Sequence, residues 1–151
     1  MHDATIEAAL DRASMRWAHG VGTEVTNAAR EIITEDGHVD EGRMRAAVDY
    51  AVRRGNKSVT TIVGCDVDYA VFFHTGTGIH GPHGTPIVPV SAKALRFEPR
   101  PAAVRRKTPR GGVDARYIFR RSVQGMERSP FMVKALHRVI GDDSLIRDRT
   151  P

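Results

Sequence analysis

Apolar side chains in the first quarter of the chain fall at Ile6, Leu10, Ala13, Trp17, Val21, Val25, Ala28 and Ile32. The steps between them are 4, 3, 4, 4, 4, 3 and 4, the stripe of a one-sided helix rather than the alternation of a strand. Asp3 is placed to cap its start and Gly37 to close its end. Gly20 and Gly22 each cost about 1 kcal/mol relative to Ala inside a helix, so a kink or break is expected near Gly20. A helix this long with one apolar face must lie against a sheet or a neighbouring subunit. A second helix is predicted from Asp40 to Gly55, with Met44, Ala47, Val48 and Ala51 as its apolar stripe.

Beyond Gly55 the pattern changes. Ser58 to Val67 is rich in β-branched residues and has the length of a strand. Asp68 then leads into a short aromatic helix, Tyr69 to His74, that ends at Gly76-Thr77-Gly78. Residues 79–91 form a loop rich in Gly, Pro and His. Ala94 to Phe97 and Tyr117 to Val123 read as strands, with Leu95 and Phe97 on one face, and Pro99 to Gly112 as the loop between them. Pro130 opens a last helix in the position proline favours, with Phe131, Ala135 and Leu136 in its body. No internal repeat is apparent. The expected class is α+β, with a long N-terminal helix and shorter helices packed on a small antiparallel or mixed β-sheet beside a long basic loop. The chain of 151 residues is expected to be a single domain, helical over 1–57, sheet-containing over 58–141 and ending in a polar tail over 142–151.

Composition excludes several classes. One cysteine, Cys65, leaves no internal disulfide framework and no cysteine-rich zinc module. No apolar run approaches the roughly 18 residues that span a bilayer, and no basic leader precedes an apolar stretch, so neither a membrane protein nor a secreted enzyme is expected. Charge is uneven: residues 1–58 hold 8 basic and 10 acidic side chains, whereas residues 93–151 hold 15 and 6. Such asymmetry suits either an anionic partner or a solvated basic surface. The densest stretch contains Arg100, Arg105, Arg106, Lys107 and Arg110, candidate contacts for DNA phosphates or for an acidic protein. It lacks the interleaved aromatics of a single-strand binder.

Signals for catalysis are weak. Gly76-Thr77-Gly78-Ile79-His80-Gly81 has the letters of a dinucleotide loop, but an aromatic helical segment precedes it and Pro82 follows, so the strand and helix that motif needs are missing. His74, His80 and His83 invite a metal reading, yet they sit among glycines rather than on regular elements, which favours structural hydrogen bonds or plain exposure. Cys65, between Val63 and Val67, reads as a small buried hydrophobe, and the pairs Asp40-Glu41 and Asp142-Asp143 as caps at helix edges. No enzyme, cofactor or bound metal is expected.

Four segments in order resemble the tail-completion and minor-tail proteins of long-tailed bacteriophages. Val39-Asp40-Glu41-Gly42-Arg43-Met44-Arg45 is similar to that family's entry to its second helix. Tyr69-Ala70-Val71-Phe72-Phe73-His74-Thr75-Gly76-Thr77 is similar to its aromatic signature ending in Gly-Thr. Ala92-Lys93-Ala94-Leu95-Arg96-Phe97 resembles a strand that follows a proline-containing loop, and Ser129 to Leu136 its closing helix, through Pro130, Phe131 and Leu136. Where the family often has a His-Pro-Gly-Thr-like turn before that helix, this chain keeps only Gly125, and its basic loop is longer than the pattern requires.

The resemblance implies a non-enzymatic virion protein of the neck or upper tail, made in the host bacterial cytoplasm. Its partners would be further copies of itself in a ring, with a hexamer expected, together with a head–tail connector, tail terminator or tail tube protein. Genomic DNA in the lumen is a further possible partner. Tyr69, Phe72, Phe73 and Gly76 are expected in the core beneath a subunit contact, and Phe131 and Leu136 are expected to anchor the last helix on the sheet. The competing reading is a free-standing basic DNA-binding protein.

Overall fold

The computed structural model describes residues 2–37, 42–98 and 117–141. They form α1 (His2–Glu35), α2 (Arg43–Ala46), β1 (Val48–Arg54), β2 (Val59–Cys65), α3 (Ala70–Thr75), a 3-10 turn at Gly78–His80, β3 (Leu95–Phe97), β4 (Ile118–Arg120) and α4 (Phe131–Ile140). β1 pairs antiparallel with β2, and β3 antiparallel with β4, in two separate two-stranded sheets. The fold is α+β, as the sequence predicts. The chain divides into two compact units, Met1–His74 with Ser129–Pro151, and Thr75–Arg128.

In the larger unit α1 is the spine, 34 residues and about 51 Å long. It runs unbroken through Gly20 and Gly22, contrary to the expected kink. Gly22 is buried, and a Cβ there would collide with the ring of Tyr50 on β1, so this glycine is a packing position. At Gly20 a Cβ would meet open space. The β1–β2 hairpin lies along α1: Arg30 Nη2 donates to the Val48 carbonyl at 2.8 Å, Thr61 Oγ1 to the Ala18 carbonyl at 3.1 Å, and Arg54 pairs with Asp11 at 2.9 Å.

The helix expected from Asp40 to Gly55 is corrected. Only Arg43–Ala46 is helical, sinking Met44 into the core, and Val48–Arg54 is a strand. Asp40 itself lies outside the described residues, and the expected helical stretch over 1–57 therefore contains β1. The physical reason is pairing. Val48, Tyr50 and Val52 alternate as well as they step by helical spacing, and opposite Cys65, Val63 and Thr61 they satisfy the backbone of β2. Gly55 N–H donates to the Ser58 carbonyl at 2.7 Å and closes the turn.

The core gathers at the C-terminal half of α1: Val25, Ala28, Ala29, Ile32 and Ile33 meet Met44, Val48, Ala70, Phe131 and Ala135. α4 packs chiefly on α1 rather than on the sheet, which corrects the expected seat of Phe131 and Leu136. It runs antiparallel to α1. Lys134 Nζ meets Asp36 at 2.9 Å, and Arg138 meets Glu35 at 2.8 Å and Glu31 at 3.6 Å. The predicted stripe divides in two. Its C-terminal members are buried, but Ile6, Leu10 and Trp17 are 62%, 66% and 68% exposed.

Two outcomes are expected. Gly20→Ala raises stability by up to about 1 kcal/mol through helix propensity, whereas Gly22→Ala lowers it by about 1–3 kcal/mol because Tyr50 must move; urea denaturation of both variants measures the contrast. The hydrogen bonds from Arg138 hold the Glu35 carboxyl below its usual range against a small opposing effect of burial. The pair therefore stabilises above the ordinary carboxylate value of about 4.3 and is lost as pH falls through the lowered folded value. The stability gap between wild type and Glu35→Gln, measured by urea denaturation at pH 7 and pH 3, is expected to shrink at the lower pH.

Candidate functional site

The aromatic segment is built from the end of β2 onward. Ala70 is buried, and Tyr69 and Phe73 pack half-buried on the core with their rings edge to face at 6.2 Å. His74 stands edge-on to Phe131 at 5.8 Å. Phe72, expected in the core, instead points outward with Val71, each 54% exposed. A six-residue helix offers one face to the core, and Ala70, Phe73 and His74 occupy it. At the same end of the unit, Ser129 N–H donates to the Phe73 carbonyl at 2.8 Å and its hydroxyl donates to the Asp36 carboxylate. Lys134 completes this clamp on Asp36, and Pro130 caps α4 beside it. Leu136 is half-buried against the core. Gly42, left-handed at φ 70°, starts α2.

In the smaller unit the glycine-rich segment is an interlock between two stretches of backbone. Thr77 N–H donates to the Met126 carbonyl at 3.0 Å, Ile79 N–H to the Gln124 carbonyl at 2.7 Å, and Met126 N–H to Thr77 Oγ1 at 2.9 Å. Gly78 (φ +63°) and Gly125 (φ +93°) are both left-handed. A Cβ on Gly78 would overlap the Gln124 carbonyl, and one on Gly125 would overlap the Thr77 carbonyl. Gly76 is buried here too, where a Cβ would stand 2.5 Å from the His80 carbonyl oxygen. The amides that a phosphate would need are committed: besides those of Thr77 and Ile79, His80 N–H donates to Thr77 and Gly81 N–H to Gly78, each at 3.2 Å. The single glycine kept at 125 is thus the partner of the motif at 76–78, a pairing that no reading of either segment alone reveals.

Leu95 and Phe97 lie on one face of β3, opposite Arg120 and Ile118 of β4. Arg96, opposite Phe119, lies on the other face with its guanidinium 4.5 Å from the centre of the Tyr117 ring. The described cations of this hairpin therefore do not form one basic face. Arg100, Arg105, Arg106, Lys107 and Arg110 lie outside the described residues.

Cys65 is half-buried at the end of β2 and its thiol contacts the Met44 carbonyl at 3.4 Å. Burial pushes its pKa up, which opposes a nucleophilic thiolate. Among the described residues no group of three His, Cys, Asp or Glu is placed to hold a metal ion. His74 belongs to the larger unit, and His80 and His83 to the smaller one. No described helix is long and apolar enough to cross a membrane.

What sequence reasoning missed is where the apolar surface stays open. Along one line of α1, Trp17, Val21, Glu24, Ala28, Glu31 and Glu35 follow one another at steps of three or four. Arg138 of α4 pairs with Glu31 and Glu35 at the far end of that line. Further toward the N-terminus the same line carries Ile6, Leu10, Ala13 and Trp17, with no described element over it. A trough of about 400 Å³ lined by Ala13, Ser14, Trp17 and Val59 lies beside it.

Gly78→Ala is expected to open the interlock, at a cost of roughly 2–4 kcal/mol from left-handed strain and overpacking together. Hydrogen exchange should then rise at Thr77, Ile79 and Met126 while α1 stays protected. No family model matches the chain, and no curated protein or solved structure is similar to it.

Proposed function

We propose that this protein is a structural component of a tailed bacteriophage virion, acting at the head–tail joint or upper tail within a homo-oligomeric ring. The identity of that assembly rests on the four ordered motifs between Val39 and Leu136. The observation that carries an assembly role is the open apolar line Ile6, Leu10 and Trp17 on a helix whose other half is packed. An apolar surface of that length is a recognition surface for a macromolecule, because leaving it in water gains nothing for a monomer. The chemistry of the described site agrees with a non-enzymatic role: the glycine loop spends its amides internally and the only cysteine is half-buried. In this reading the neighbours are a connector, tail terminator or tail tube protein, and the ring is six-fold. The protein is assembled from the bacterial cytoplasm into the virion.

A second reading is favoured by the excess of cations in residues 93–151 and makes the chain a non-specific DNA-binding protein. The two separate by mass. Light scattering at physiological salt is expected to give a closed oligomer, alone or on mixing with the connector and tail proteins encoded beside it. A monomer that ignores those proteins and binds duplex DNA overturns the virion reading. In that case changing Arg105, Arg106 and Lys107 to Ala flattens the salt dependence of binding.

A further inference from the structure

The larger unit carries two exposed apolar patches at opposite ends of α1. One is the line Ile6, Leu10, Ala13 and Trp17 with its trough against Val59. The other is Val71 and Phe72 on α3. α3 is tied to the far end of the helix through the Phe73–Ser129–Asp36 hydrogen bonds, about 35 Å along the axis from Leu10. The charges around the patches differ in sign. Exposed Arg12 and Arg16 flank the α1 line, and Arg53, Arg54 and Lys57 cluster at the adjoining hairpin turn, against Glu7 and the already paired Asp11. Exposed Asp66 and Asp68 stand just before Val71 and Phe72.

We infer that the α1 line of one copy receives α3 of a second copy, Val71 and Phe72 entering the apolar trough while Asp66 and Asp68 meet Arg12 and Arg16. Two different surfaces on one rigid unit, each apolar at its centre and opposite in charge at its rim, define a heterologous contact. Such a contact repeats head to tail and closes into a ring when its rotation permits. A two-fold contact of the α1 line with itself would instead bring Arg16 toward Arg16 and leave Phe72 in water. The inference deepens the ring proposed above and rests on it for closure, whereas the contact itself stands on these two patches.

The test uses the full chain and its single tryptophan, Trp17, as the reporter. With rising concentration, light scattering should show association while Trp17 emission moves to the blue and acrylamide quenching falls. Arg12→Glu with Arg16→Glu, and separately Asp66→Lys with Asp68→Lys, should each weaken self-association at least tenfold. An equimolar mixture of the two charge-reversed chains should recover it, because each then presents the other with an opposite charge. Phe72→Ser, which leaves both charged rims in place, should also weaken association at least tenfold. This gives an answer even where the lysine variant fails to fold.

Association that survives these variants, or a mixture that does not recover, overturns the contact and leaves the ring standing. A monomer whose Trp17 signal moves only when a connector or tail protein is added overturns the self-contact and keeps the virion reading. A monomer unchanged by any of them overturns both. Emission already blue-shifted in the dilute monomer, and moved to the red by ending the chain at Gly141, assigns the line to residues 142–151 of the same chain and overturns the contact.

Discussion

Burial along one face of α1, from Val25 to Ile33, is the constraint to which the rest of the larger unit answers. Small residues at 28 and 29 let neighbouring elements approach, while Ile32 and Ile33 fill the space between Met44, Val48, Ala70 and Phe131. These contacts come from four separate parts of the chain, and none of those parts is long enough to be stable alone. α2 has four residues and α3 has six, far below the roughly 12–15 at which an isolated helix becomes even marginal. The β1–β2 hairpin, a two-stranded sheet, gains its stability from the same face. The core thus concentrates at one end of a helix about twice its length.

That imbalance connects fold to function. Because the core needs only the C-terminal half of α1, the other half is free to present Leu10 and Trp17 without loss to the fold. The Asp36–Ser129–Lys134 clamp and the Arg138 pairs fix α4 against α1, and the clamp's Phe73 link fixes α3 near the same end. The open line and the α3 patch are therefore held on one rigid body. In the smaller unit rigidity has a different origin. There the Gly78–Gly125 interlock brings two backbones closer than any side chain allows, in place of an apolar core.

Several features were legible from residue order. The 3–4 spacing marked α1, the β-branched run marked β2, and Pro130 marked the start of α4. The glycines at 76–78 were visible as special, and the absence of a strand before them argued against nucleotide binding. Val48–Arg54 was misread because Met44, Val48 and Ala51 also satisfy helical spacing. The choice was made by backbone pairing with β2, which lies outside any local window.

The sequence by itself determined which segments are amphipathic, where helices start and turns fall, and that no catalytic constellation is spelled in a contiguous motif. Only the tertiary structure decided which half of the long apolar line is covered, which aromatic of Tyr69, Phe72 and Phe73 faces water, and why Gly125 is a glycine. The reason is the same in each case. Local periodicity records that a face is apolar, but burial depends on what distant segments bring to that face. In this chain Phe131 and Ala135 reach Ile32 and Ile33 from about a hundred residues away.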